Sequence, residues 1–261
     1  MISKLLKAAR KIVFKFGSST LSDREGRIDT AFLAEFARQC ADFIKNGKQL
    51  IIVSSGAQTA GLSAMGKWAR KKDIHYRQAL CAVGQVMLMK EWECAFEPLS
   101  LNVAQILLTQ DDFGNSQRTL NMRNTLFTLV DEGVIPIINE NDTVSVEEIK
   151  IGDNDTLAAQ SAILWSADLL VLFSDIDGVY TKNPQKNTDA ELIPQVTDID
   201  ELRKKISMDG ISAFGTGGIE TKINAAALVK PYGISSIITR GKPASLEALL
   251  NGSVNGTVFT A

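Results

Sequence analysis

The sequence predicts an α/β fold, a mostly parallel sheet sandwiched between helices in a three-layer αβα arrangement. Short, continuous apolar runs recur at residues 12–16, 50–53, 103–108, 134–138, 169–173 and 234–239. Stretches with helical spacing lie between them, and the alternation is regular. No repeat, low-complexity run or linker divides the 261 residues. Strands that are apolar throughout are buried on both faces, and covering both faces is the work of crossover helices between parallel strands.

Each element follows from a local pattern. The N-terminal MISKLLKAARK is basic, lacks the apolar core of a signal peptide and is expected to lead straight into the strand at 12–16. A turn, Gly17-Ser18-Ser19-Thr20, comes next. Phe32, Leu33, Phe36, Ala37, Cys40, Phe43 and Ile44 then recur at helical spacing until Gly47 stops them. The strand at 50–53 breaks at Ser54-Ser55-Gly56-Ala57, and a long Ala- and Met-rich helix is expected over about 76–96. A helix apolar on much of its girth is usually core or a subunit interface. Beyond the strand at 103–108, a helix over 119–132 ends at Gly133 and the strand at 134–138 follows. Helices are expected from Asp155 to about Trp165 and over 219–229, and the polar interval 181–198 reads as an irregular surface excursion.

Composition narrows the function. With 45% apolar and 22% charged residues the chain has ordinary globular usage, and its length fits one large α/β domain or two lobes. A net charge of −2 and a pI near 5.6 give no basic field, so no nucleic-acid partner is expected and any anionic ligand must be held by local donors. Cys40, Cys81 and Cys94 are odd in number and lack metal-type spacing, which points to a reducing, cytoplasmic setting. No run is long enough to span a membrane, and the mature protein is expected to be the whole chain. The single histidine, His75, argues against histidine-rich zinc sites and Ser-His-Asp catalysis, and is expected at the surface or a helix start. There is no Walker A loop and no complete dinucleotide fingerprint, and Asp112-Phe113-Gly114 lacks the catalytic loop that would make it a protein-kinase motif.

The chemistry gathers where strands end. Ligands of open parallel sheets bind beyond the carboxyl ends of the strands. There the sequence places Lys15 with Gly17-Ser18-Ser19, then Ser54-Ser55-Gly56, then Asn139-Glu140-Asn141-Asp142, and finally Ser174-Asp175. A second polar cluster, Gly152-Asp153-Asn154-Asp155, stands directly ahead of a helix. One such cluster would be a hydrophilic turn and cap; two in series either stay wet or hold a polar ligand, because buried charges need partners. Lys15, inside the apolar run IVFKFG, is expected to face an anion rather than solvent. Gly215-Thr216-Gly217-Gly218-Ile219-Glu220-Thr221-Lys222 opens a helix, and free amides at a helix start attract phosphate.

In order along the chain, VFKFGSS (13–19), VSSGA (53–57), INEND (138–142), IGDND (151–155), FSDIDGVYT (173–181) and GTGGIETK (215–222) resemble the motifs of the amino acid kinase family. The pairing of INEND with GDND resembles the members that phosphorylate the γ-carboxylate of glutamate with ATP, the first step of proline synthesis. Uridylate, acetylglutamate and carbamate kinases share the fold and lysines, but their acceptor loops are not expected to read this way.

The resemblance implies the amino acid kinase fold and a division of labour. A lobe of about 1–165 would bind glutamate and a lobe of about 166–261 would bind ATP. Lys15 and Lys222 match the phosphate-contacting lysines, and Ser55, Asp142, Asn154 and Asn139 match glutamate-binding positions. Ser174, Asp175 and the loop of Thr216, Gly217, Gly218, Ile219, Glu220, Thr221 and Lys222 match the nucleotide site. Asp155 is expected to orient the lysines and Asp153 to organise substrate or Mg²⁺, with no metal ligand assigned to a side chain. Also implied are feedback inhibition by proline, a homodimer or homotetramer, and a lid over glutamate formed by residues 110–123. Many relatives carry an RNA-binding-like PUA domain, and with the chain stopping at Ala261 none is expected here. Asn183-Pro184 replaces the usual Asp-Pro after the tyrosine motif. A non-catalytic amino acid sensor is the rival reading, and lysines on both sides of the site argue against it.

Overall fold

The computed structural model describes residues 1–23, 25–66, 70, 72–145, 154–184, 186–208, 218–242 and 246–261. Among them the chain runs α1 (Ile2–Ala8), β1 (Lys11–Phe16), α2 (Ser18–Leu21), α3 (Thr30–Lys45), β2 (Gln49–Ser54), α4 (Ala57–Met65), α5 (Ile74–Phe96) and β3 (Val103–Leu108). It continues through α6 (Gln110–Phe113), α7 (Ser116–Asp131), β4 (Ile135–Glu140), α8 (Asp155–Trp165), β5 (Leu169–Ser174), β6 (Gln195–Val196) and α9 (Ile199–Met208). The last elements are α10 (Gly218–Val229), β7 (Ser235–Arg240), α11 (Leu246–Asn251) and β8 (Gly256–Phe259).

The strands form one eight-stranded sheet in the order β3-β4-β2-β1-β5-β7-β8-β6. Neighbours pair parallel except β7 with β8. Side chains alternate between the faces of a strand. In β1, Ile12, Phe14 and Phe16 therefore join one hydrophobic cluster, with Phe36, Trp92 and Phe173, while Val13 joins the other, with Leu157, Trp165 and Ile223. The same alternation puts Lys15 on the Val13 face, toward α8 and α10. On the opposite face the Phe16 and Phe173 rings stack with centroids 4.6 Å apart, so aromatic packing fixes β1 against β5.

The chain crosses from the β1-β2-β4-β3 half to the β5-β7 half next to β1, and such a reversal leaves a crevice at the carboxyl ends of the strands. Glycines shape that rim. Gly56 takes φ +105 at the start of α4, a left-handed conformation costly for other residues. A Cβ on Gly84 would stand 1.8 Å from the Ala57 carbonyl oxygen, so α4 and α5 touch backbone to backbone.

Some elements differ from the sequence-based expectation. The basic N-terminus does not run straight into β1: α1 intervenes, burying Ile2 and Leu6, with the Ser3 hydroxyl donating to the Leu250 carbonyl at α11. The break expected at Ser54-Ser55-Gly56-Ala57 is shorter than that: β2 runs through Ser54 and α4 begins at Ala57, leaving Ser55 and Gly56 between them. Helix α7 starts at Ser116 rather than 119, where Asn115 caps it. The 181–198 interval contains β6, and Tyr180 bridges to Leu192. Its edge strand gains regular structure only by pairing with β8, which lies far along the chain. His75 is exposed in the first turn of α5. No described helix is long and apolar enough to cross a membrane.

Candidate active site

Four strand ends and two helix starts converge on the crevice. Lys15 reaches from β1 and Lys222 from the second turn of α10, and both stop at the Asp155 carboxylate in the first turn of α8. Lys15 Nζ lies 2.7 Å from Asp155 Oδ1, and Lys222 Nζ donates to Asp155 Oδ2 at 2.9 Å. The Thr221 hydroxyl donates to the same Oδ2 at 2.7 Å, and Lys222 Nζ also donates to the Gly218 carbonyl at 3.2 Å. All three charged groups are buried. Burial alone would push the Asp155 carboxyl up, but Lys15 and Lys222, by charge and by hydrogen bonding, overcome it and hold the carboxyl well below the usual range. Two ammonium groups against one carboxylate leave a net positive charge away from bulk water, a strong attraction for an anion.

Beside this triad lies a cluster of amides. Asn154 precedes α8 at the N-cap position, yet its side chain makes no cap hydrogen bond. Its Nδ2 donates instead to Asn139 Oδ1 at 2.8 Å, Ser55 Oγ at 3.0 Å and the Ser54 carbonyl at 3.2 Å, tying α8 to the ends of β4 and β2. Asn154 Oδ1 is buried and has no hydrogen-bond partner among the described residues, an acceptor awaiting a donor. Asp142, after β4, is also buried. Loss of water pushes its carboxyl up to about 6, and the Glu140 charge adds to this against a hydrogen bond from the Cys81 thiol and the charge of Arg77.

Helix α5 braces the cluster. Gln78 Nε2 donates to the Asp142 carbonyl at 3.0 Å, Asn139 Nδ2 donates to Gln85 Oε1 at 2.8 Å, and Trp92 Nε1 donates to Ser54 Oγ at 3.1 Å. With Cys81 these residues fall at i, i+3, i+7 and i+14, one stripe of a helix. The sequence reading assigned none of them to the site. The usable signal was polar residues on that stripe of an otherwise apolar helix.

Lys15, Ser55, Asn139, Asp142, Asn154, Asp155 and Lys222 thus come together as the sequence placed them. On the far side of β1, Ser174 is buried at the end of β5 and donates to the exposed Asp175 at 3.1 Å. Gly218, Ile219, Glu220 and Thr221 open α10. Asp153, Thr216 and Gly217 lie outside the described residues. The proposed lid, 110–123, is helical: α6 starts with a reciprocal capping box between Thr109 and Asp112, and α7 follows. Among the described residues no group of three or more His, Cys, Asp or Glu side chains could hold a metal ion.

The model of the Amino acid kinase family matches residues 10–240. The chain is 56% identical to a glutamate 5-kinase from Alkaliphilus metalliredigens, over 100% of this chain and 99% of the relative. It is 52% identical to one from Alkaliphilus oremlandii, over 99% of each. Among solved structures, carbamate kinase from Giardia lamblia bound to AMP-PNP aligns with a TM-score of 0.67 at 15% identity, over 97% of this chain and 99% of that one. UMP kinase from Ureaplasma parvum aligns at 0.66 and 17% identity, over 97% and 99%. At such identities the structural likeness speaks to the fold alone.

Proposed function

The chain belongs to the amino acid kinase family, and from that premise, with its close likeness to glutamate 5-kinases, we propose how its residues carry out the reaction. It transfers the γ-phosphoryl group of ATP to the γ-carboxylate of L-glutamate, giving L-glutamyl 5-phosphate, the first step of proline biosynthesis. The observation that carries the residue assignment is the Lys15–Asp155–Lys222 triad beside the Asn154 amide cluster.

The reaction asks little acid–base chemistry of the protein. A glutamate side chain has an ordinary pKa of about 4.3, so the nucleophile is ionised at neutral pH without a general base. One carboxylate oxygen forms the new bond to the γ-phosphorus as the bond to the ADP oxygen breaks. What the protein supplies is alignment of two anions and donors that meet the spreading charge. Lys15 and Lys222 do this from opposite sides, with Asp155 fixing both ammonium groups in place. The start of α10, Gly218 to Lys222 with Thr216 and Gly217 before it, takes the nucleotide phosphates, and Ser174 and Asp175 complete the ATP side.

Glutamate occupies the other half. Its α-ammonium meets Asp142 and the unpartnered Asn154 Oδ1. Ser55 Oγ already accepts from Asn154, which leaves its own proton to donate to a substrate carboxylate. Asn139 sets the Asn154 amide. On this reading residues 1–165 carry glutamate and 166–261 carry ATP, and α6 with the start of α7 covers the acceptor. Mg²⁺ would be held mainly by phosphates and water and would neutralise phosphate charge there, with Asp153 organising substrate or the ion. The same kinship supports proline as feedback inhibitor, a homodimer or homotetramer, and a cytoplasmic location as parts of this proposal.

The decisive assay is acyl phosphate formation trapped with hydroxylamine, dependent on ATP, Mg²⁺ and glutamate, with acetylglutamate, aspartate and UMP in parallel. Signal with glutamate alone is expected. Signal with another acceptor would refute the roles of Ser55, Asp142 and Asn154, and nucleotide binding without turnover would turn the reading toward a sensor.

A further inference from the structure

The amides at the heart of the site form a chain with one direction. Asn154 Nδ2 donates to Asn139 Oδ1, and Asn139 Nδ2 donates to Gln85 Oε1. Asn139 Oδ1 also accepts from the Glu140 backbone N–H at 2.9 Å. With two N–H groups aimed at its oxygen, Asn139 cannot turn over without setting donor against donor, so its own NH₂ must find an acceptor on α5. Gln85 provides it. The two ends of the chain are then orphaned: Asn154 Oδ1 at the substrate side and Gln85 Nε2 inside the protein are both buried without a partner among the described residues.

That second orphan separates function from stability. A buried donor left unpaired is destabilising, so a glutamine here is a poor choice for holding α5 to β4. It is a good choice for delivering an acceptor at one point.

We propose that Gln85 is a positioning residue for the acceptor site: by accepting from Asn139 Nδ2 it satisfies the donor that faces α5, holds that amide in the orientation its two Oδ1 donors require, and so keeps Asn154 Oδ1 presented to the glutamate ammonium. Gln85 touches no substrate in this arrangement. The proposal rests on the glutamate reading of Asn154.

Gln85→Met keeps the length of the side chain and removes its acceptor. The expected result is a KM for glutamate raised about tenfold, the equivalent of one lost net hydrogen bond, with the KM for ATP within about twofold and a urea midpoint near wild type. Gln85→Glu offers Asn139 an acceptor in either protonation state and should keep the glutamate KM within about threefold of wild type. An unchanged glutamate KM in Gln85→Met, or a tenfold rise in Gln85→Glu, would overturn the proposal, and the latter arm holds even where Gln85→Met does not fold. Asn154→Ala separates the two layers. If it leaves the glutamate KM untouched, the site reading itself fails and the proposal with it. If it raises that KM while Gln85→Met does not, only the role of Gln85 is lost.

Discussion

Asp155 and Asp142 are both carboxylates sunk into the same crevice, and their surroundings pull them in opposite directions. Asp155 is clamped between two ammonium groups and a hydroxyl, and is held well below the ordinary carboxyl range. Asp142 loses water to burial and has only a thiol and an arginine charge to set against that and a neighbouring acid, and is pushed up to about 6. Burial is common to both, so the difference lies in partners. A carboxylate whose partners are already present is a fixed piece of electrostatics. One whose partners are incomplete is poised to receive a cation, and the glutamate α-ammonium is the cation the proposed reaction brings.

Breaking the clamp should have the largest effect. Asp155→Asn strands two buried ammonium groups, and removing one partner of a buried ion pair typically costs about 3–5 kcal/mol. Urea unfolding should show a loss of that order, together with a fall in turnover of at least about 10³-fold as both lysines lose their anchor. Near-normal stability would mean that the lysines are neutralised some other way. Lys222→Ala comes next, with turnover lower by about 10²–10³-fold, because one preorganised donor to the transferred phosphoryl is gone. Turnover within about fivefold of wild type would remove Lys222 from the reaction.

The poised acid is tested by pH. Asp142 must be ionised to hold an ammonium, so the glutamate KM should rise as pH falls through about 6, and Asp142→Asn should flatten that dependence on top of a raised KM. Stability gives the complementary sign. A carboxyl raised in the fold contributes stability that is fully present below its ordinary 3.8 and lost as pH rises through about 6, so in the absence of substrate Asp142→Asn should gain on wild type between pH 4.5 and 7. For Asp155 the sign reverses: its contribution is present above the ordinary value and lost as pH falls toward its lowered one. A urea midpoint difference that does not grow with pH would contradict the Asp142 assignment. The smallest effect belongs to Cys81→Ala, which removes a hydrogen bond that favours the Asp142 carboxylate. The pH midpoint of the glutamate KM should move up by a few tenths of a unit and Cys81→Ser should restore it, since a lost neutral hydrogen bond shifts a carboxyl only modestly.

The two carboxylates also divide what was legible in the sequence. Lys15, Asp142, Asn154 and Asp155 stood out because charged and amide side chains at the ends of apolar runs have no packing role, and the alternation of strands and helices placed those ends together. The bracing stripe of α5 did not stand out. Gln78, Cys81, Gln85 and Trp92 sit in a helix whose apolar girth reads as core, and their partners come from β2, β4 and the residues just after β4, which are far along the chain or on another strand. The pull on Asp142 was equally hidden, since it depends on Glu140, Cys81 and Arg77 arriving from two elements. Helix α1 and strands β6 and β8 are too short to carry a periodicity of their own, and the antiparallel turn of β8 is set by where β7 leaves an edge.

The central place of β1 has a consequence for how the protein is made. Its two neighbours in the sheet are β2, which follows at once, and β5, which begins at Leu169. At typical synthesis rates of roughly 5–20 residues per second, Asp155 leaves the ribosome about 7–30 s after Lys15, and Lys222 about 10–40 s after it. Until then the nascent chain holds a lysine in its future core with no counter-charge. The early half should therefore wait in an open, chaperone-accessible form, and closure of the ion triad marks the moment at which the newly made chain becomes both buried and competent.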